Sequence, residues 1–260
     1  MRIGRVFLAG DAAHLMSAAG GYGINAGIQD GINLAWRLAA HLRLKADASV
    51  LDGYDTDRRE MFEHLDALSD DAHRMIIASD ASVLSDPVLR SNETMAMADR
   101  GLAEVDLAYV RDRSWRDHAV SGTFRAGMRV PPTADFGTGE GAVRPWAALY
   151  DGFNWTVVLA VPDRTAVRTS YIRHMDLATP TWLGARAWLV VAAADAFGWH
   201  APRPTLYLVR PDGYIAFRCD APQGELPDVR ALAAWLVEFI GGRRWRLRRE
   251  PQASVPLAAG

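Results

Sequence analysis

Cysteine is almost missing from this sequence: Cys219 is the single one in 260 residues. That count excludes an intrachain disulfide, a CxxC redox pair and a cysteine-built zinc cluster. Such sparse usage fits a reducing compartment, here the cytoplasm. An excess of either charge is missing as well. The chain holds 29 Lys and Arg against 31 Asp and Glu, so no global field draws it to nucleic acid or to an anionic membrane. Long apolar runs are lacking too. The best candidate, Trp182 to Trp199, is broken by Arg186 and Asp195, short of the roughly 18 uninterrupted residues of a membrane-spanning helix. The seven histidines are scattered without metal-ligand spacing. The basic run Arg243 to Arg249 reads as solvated surface at a domain edge.

What is present reads as α/β. Val6 to Ala9 is a short apolar run ending at Gly10-Asp11, as a buried strand of an α/β sheet would. Preceded by Met1-Arg2-Ile3-Gly4-Arg5, it reads as a strand rather than as part of a signal peptide. Gly20-Gly21-Tyr22-Gly23 comes next. Then Ile24, Ile28, Ile32, Leu34, Ala35, Leu38, Ala39 and Leu42 recur at helical spacing and predict a helix from Ile24 to Leu44. A second helix is expected from about Val50 to Ile77 and a third from Val88 to Glu104. Prolines and glycines between 106 and 148 suggest an irregular connector. Beyond it, Trp155 to Val161 and Trp188 to Ala193 read as strands. Thr205 to Val209 and Tyr214 to Arg218 read as a hairpin around Arg210-Pro211-Asp212-Gly213. A helix from Leu226 to Ile240 closes this unit. The division expected is therefore 1–105, a connector over 106–148, a second unit over 149–248, and a tail over 249–260.

A strand ending in Asp, a glycine bend and a helix start form a ligand cradle. Glycines admit close backbone approach and positive φ. The free amides at a helix start donate to an electron-rich acceptor. An aspartate at a strand's end suits a sugar-like hydroxyl. Many nucleotide sites fit this description, and Asp11 could equally be a turn or helix-capping residue. His14 reads as a packed or hydrogen-bonded side chain without a chemical role.

The residues themselves are more specific. Gly4 through His14, Gly20 through Asp30 and Asn33 through Leu38 resemble the second flavin fingerprint of the p-hydroxybenzoate hydroxylase-like family, the group A flavoprotein monooxygenases. Tyr54-Asp55-Thr56-Asp57-Arg58-Arg59 is similar to the family's following Tyr-x-x-Glu-Arg-Arg element, with Asp57 in place of the glutamate. Leu206 through Arg218 resembles the thioredoxin-like C-terminal domain of the larger hydroxylases.

The resemblance implies a partial FAD-binding, Rossmann-like segment with long helices, followed by a thioredoxin-like α/β domain. It makes Asp11 the ligand of the FAD ribityl chain and sets Gly23, Ile24 and Asn25 against the isoalloxazine. It names no catalytic residue. It further implies an aromatic-ring monooxygenase reduced by NADPH or NADH, acting on an aromatic small molecule, with a homodimer as one arrangement. The family's GxGxxG motif and most of its substrate-binding sheet precede this fingerprint and are not in the sequence, so an incomplete form is expected. A different class stays open: a non-catalytic helical plus thioredoxin-like module that mediates oligomerisation.

Overall fold

The computed structural model describes residues 1–16, 23–77, 108–109, 111, 115–119, 124–130, 135–137, 143–145, 152, 154–161, 186–191, 202–222 and 225–239. The bend at 20–22, the helix expected over 88–104, the basic run 243–249 and the tail 249–260 lie outside them.

At the N-terminal end, β1 (Arg2–Ile3) and β2 (Val6–Phe7) form a small antiparallel ribbon with Ile3 opposite Val6. The buried strand expected at Val6 to Ala9 is corrected here: Val6 is 63 % exposed and Ile3 84 % exposed. A two-stranded ribbon offers no second layer to cover these side chains. Helix α1 (Gly23–Arg43) follows, then a 3-10 turn at Ala48–Leu51 and helix α2 (Asp52–Ile77). Asp47 caps that turn by accepting from the Ser49 amide at 2.9 Å.

The larger element is a seven-stranded sheet in the order β3-β9-β8-β6-β7-β4-β5. Its strands are β3 (Arg116–His118), β4 (Asp135–Gly137), β5 (Val143–Pro145), β6 (Thr156–Val161), β7 (Arg186–Val191), β8 (Thr205–Val209) and β9 (Ile215–Asp220). β6 runs parallel to β7 and antiparallel to β8, which pairs antiparallel with β9. Three short strands thus come from the stretch that reads as a connector in the sequence.

The β8–β9 hairpin turns as its sequence predicts. Pro211 presets φ at the second position, the Gly213 amide donates to the Arg210 carbonyl at 2.9 Å, and Gly213 takes φ of +87°. β6 and β8 are buried along their whole length, as β-branched and aliphatic runs require when both sheet faces are covered. Helix α3 (Val229–Phe239) lays Val229, Leu232, Trp235 and Leu236 on one face.

The core spans both parts of the chain. Trp36 and Ala40 of α1, with Val50 and Leu51, pack into the same cluster as Val157, Leu159, Leu206, Leu208 and Phe217 of the sheet and Leu232 and Trp235 of α3. Each fully buried side chain of this size stabilises the fold by about 1.5–3 kcal/mol. Cys219 lies in this cluster, and burial pushes its thiol up to about 12. Among the described residues no helix is long and apolar enough to cross a membrane.

Candidate functional site

The loop after β2 closes at once into a 3-10 turn, Gly10–Ala12. Gly10 sits at φ +58°, where a side chain is strained. The turn lies directly against α1: a Cβ built on Gly27 would meet the Gly10 Cα at 3.3 Å. Only two glycines permit that backbone approach. Asp11 is exposed, and its carboxylate makes no hydrogen bond among the described residues.

Gly23 is the first residue of α1, while Ile24 (79 % exposed) and Asn25 face solvent in its first turn. That first turn contains no acidic residue, and His41 and Arg43 occupy the last, so the helix dipole is left positive at its start. The four residues singled out in the sequence therefore fall on two elements held together by the Gly10–Gly27 contact. Asp11 points outward rather than into the packed interior.

Beneath this surface lies a buried ionic cluster. Asp30 of α1 is fully buried and accepts three hydrogen bonds: from the Gly10 amide at 2.9 Å, from His14 Nε2 at 2.7 Å and from Arg58 Nε at 2.7 Å. Arg58, on α2, also donates to the Ala26 carbonyl and to the Tyr109 hydroxyl. His14 stacks on Phe62 at 5.1 Å between ring centroids, which agrees with the packed role read from its sequence. Tyr54 donates its hydroxyl to the Leu8 carbonyl at 2.7 Å, and its burial raises its pKa.

A second cluster joins α1 and α2 to the hairpin turn. Asp57 accepts from Arg37 at 2.7 Å, Asn33 at 3.0 Å and Arg210 at 3.1 Å. Asp212 accepts from Arg210 at 2.7 Å, Trp36 Nε1 at 2.9 Å and Asn33 at 3.1 Å. The Arg210 guanidinium lies within 5.3 Å of the ring centroids of Trp36, Tyr109 and Tyr214. Burial works against its charge, but Asp212 and Asp57 outweigh that and hold its pKa above the ordinary arginine value. Burial likewise disfavours the Asp212 charge, and the Arg210 guanidinium beside it prevails, keeping the carboxyl below its ordinary range.

In the sequence these residues stand inside the quoted motifs without a role of their own, although a signal was available. The buried stripe of α1 is Ala26, Asp30, Asn33, Trp36, Arg37 and Ala40, spaced by three and four. Of the apolar residues whose spacing predicts this helix, Ile24, Ile28 and Leu42 are exposed. Asp30, Asn33 and Arg37 share one helix face at spacings of three and four, and that polar spacing is what the apolar count overrode.

The comparisons with known proteins fit this arrangement. Residues 1–68 match the family described as FAD binding domain. A protein from Streptomyces halstedii that bears the name of a polyketide hydroxylase is 33% identical over 243 residues, 85% of this chain and 42% of the relative. The chain is thus similar to the p-hydroxybenzoate hydroxylase-like flavoproteins. Within this flavoprotein family, a 3-(3-hydroxy-phenyl)propionate/3-hydroxycinnamic acid hydroxylase of Mycobacterium sp. (strain JLS) is 31% identical over 248 residues, 85% of this chain and 42% of its own. Among solved structures, CabE, an aromatic hydroxylase from angucycline biosynthesis, superposes with a TM-score of 0.64 at 25% identity, over 94% of this chain and 46% of CabE. The chain spans less than half the length of these relatives.

Proposed function

We propose that this flavoprotein segment supplies the ribityl- and ring-facing part of the FAD site of an aromatic-ring monooxygenase, with NADPH or NADH as reductant and an aromatic small molecule as substrate. The observation that carries the reading is an exposed carboxylate, Asp11, on a turn pressed backbone to backbone against the first turns of α1. A carboxylate with no partner among the described residues, beside a helix start that no acidic residue neutralises, fits a ligand with hydroxyl donors and an electron-rich ring edge.

When bound, FAD supplies the chemistry: it carries electrons from the nicotinamide to O₂ and delivers one oxygen atom to the ring. The protein's part is binding and orientation. Asp11 accepts a hydrogen bond from a ribityl hydroxyl. The amides of Gly23, Ile24 and Asn25, which have no acceptor within the helix, stabilise negative charge at the ring's edge. The second unit follows a thioredoxin-like plan in this reading. A sheet core ordered β7-β6-β8-β9, with β6 and β7 parallel and the other pairings antiparallel, supports it. Its lone buried cysteine gives it a structural rather than a redox role. The expected division into 1–105, 106–148 and 149–248 belongs to the same proposal, as does residence in the cytoplasm.

A titration of the purified chain with FAD, followed by flavin fluorescence, tests the reading. Saturable one-to-one binding is expected, weakened about tenfold or more by Asp11→Asn, the scale of losing a hydrogen bond to a charged acceptor. A second reading, a homodimer or other association without catalysis, draws on Ile3, Val6, Ile24 and Ile28 being exposed. No FAD binding, together with self-association in sedimentation, would favour it over the first.

A further inference from the structure

A densely bonded carboxylate next to the proposed flavin turn comes from outside the turn's own sequence. Asp30 lies in the second turn of α1, and no part of its side chain reaches solvent. Its Oδ2 accepts from the Gly10 amide at 2.9 Å and from His14 at 2.7 Å, and its Oδ1 accepts from Arg58 at 2.7 Å. Gly10 and His14 are the residues on either side of the Asp11–Ala13 segment. One carboxylate thus grips both ends of the turn that presents Asp11, and it does so from the helix whose first residues form the other wall of the site.

Arg58 adds a third anchor. It ties the same carboxylate to α2, and through its other nitrogens to the Ala26 carbonyl and the Tyr109 hydroxyl. The Gly10–Gly27 approach leaves no side chain between turn and helix. Their relative position is then set by backbone contact and by Asp30.

Resting on the flavin reading above, we propose that Asp30 is a positioning residue: it fixes the Gly10–His14 turn on α1 so that the Asp11 carboxylate stands in a defined place relative to the amides of Gly23 to Asn25. Asp30 itself, being buried, touches no ligand. Its effect on binding is exerted through the Gly10 amide and the His14 ring. A flexible carboxylate at position 11 would have to be ordered anew by each ligand, at the expense of affinity.

The test uses the full chain, isotope-labelled, as wild type, Asp30→Asn and Asp11→Asn, with two readouts. The first is hydrogen exchange at the Gly10 amide, with the amides of β6 and β8 as an internal reference for the fold. The second is FAD affinity by titration. In the wild type the Gly10 amide is expected to be protected. In Asp30→Asn its exchange speeds up about tenfold or more while the β6 and β8 amides stay protected, and FAD affinity falls by about the same factor. Asp11→Asn weakens FAD binding and leaves Gly10 protected, which separates contact from positioning.

A Gly10 amide that exchanges at the rate of an open chain in the wild type overturns the proposal without any variant, and so covers an Asp30→Asn chain that does not fold. A folded Asp30→Asn chain with wild-type Gly10 exchange and wild-type FAD affinity overturns it equally. Absence of FAD binding by the wild type would sink the flavin reading and with it the positioning role toward that ligand. The Gly10 exchange would then still report whether Asp30 holds the turn, so the two failures are told apart.

Discussion

Gly53 begins the first full turn of α2 with its Cα against the Arg37 guanidinium. A Cβ built there would lie 2.0 Å from Arg37 Nη1 and 2.7 Å from Cζ. On the surface an arginine head would simply swing away. Here it is fully buried and bonded to Asn33, Asp57 and the Val50 carbonyl. Moving it takes one charged partner from the buried Asp57 carboxylate, and breaking a buried pair is far more costly than a surface one. Gly53→Ala, a change that would raise stability in an open helix, is therefore expected to lower the unfolding free energy by about 2–4 kcal/mol. Urea denaturation of the two chains checks it. A variant as stable as the wild type would mean that the guanidinium has another place to go.

The elements show which features a sequence makes legible. The extents of α1 and α2 were readable because their helical spacing holds over more than five turns, and the β8–β9 hairpin because Pro-Asp-Gly carries its turn in its own backbone chemistry. Orientation was harder to read. The apolar spacing of Ile24, Ile28 and Leu42 marks a helix without saying which face is covered, and the chain leaves these three exposed while it buries Asp30, Asn33 and Arg37. Those polar groups can be buried because partners come from α2 and, for Asn33, from Asp212 in a turn 179 residues away, a pairing no local pattern reveals. The same distance hid the role of Asp212 inside a turn signature. Asp11 and the helix start at Gly23 were legible because their motif is local; Asp30's grip on Gly10 was not, because it depends on how the turn folds back.

Asp212 gives this scale its pH dependence. Its folded-state pKa is depressed below the ordinary 3.8. The stability it contributes is therefore fully present above about pH 3.8 and is lost as pH falls through the lower folded value. Asp212→Asn is expected to be less stable than the wild type by about 3 kcal/mol at neutral pH. The gap should narrow as the pH is taken from 5 toward 2. Denaturation midpoints of both chains across that range test it, and a gap that widens in acid would contradict the assignment.

For the whole molecule, the question is whether α1 and α2 and the sheet are two bodies or one. The sequence places a connector over 106–148, and side chains from both sides of it pack into one core. Trp36, Ala40, Val50 and Leu51 fill the face of β6 and β8, and Trp36 lies edge-on to Trp155 at 5.4 Å. Asp57 and Asp212 share the Arg210 guanidinium from opposite sides of the same boundary. Opening the sheet alone would expose the apolar side chains of α1 and take Arg210 from Asp57. Opening the helices alone would strip one layer from the core. Neither part can unfold without most of the other's loss, so a single cooperative transition is expected. Native-state hydrogen exchange should then give the amides of α1, of the first half of α2 and of β6 and β8 one common opening free energy. The far-ultraviolet and tryptophan fluorescence transitions should coincide in urea. Two separated transitions, with the helices opening first while β6 and β8 stay protected, would show that the Arg210 junction is a contact between independent domains, and that the Gly10–Ala12 turn is held by α1 and α2 without help from the sheet.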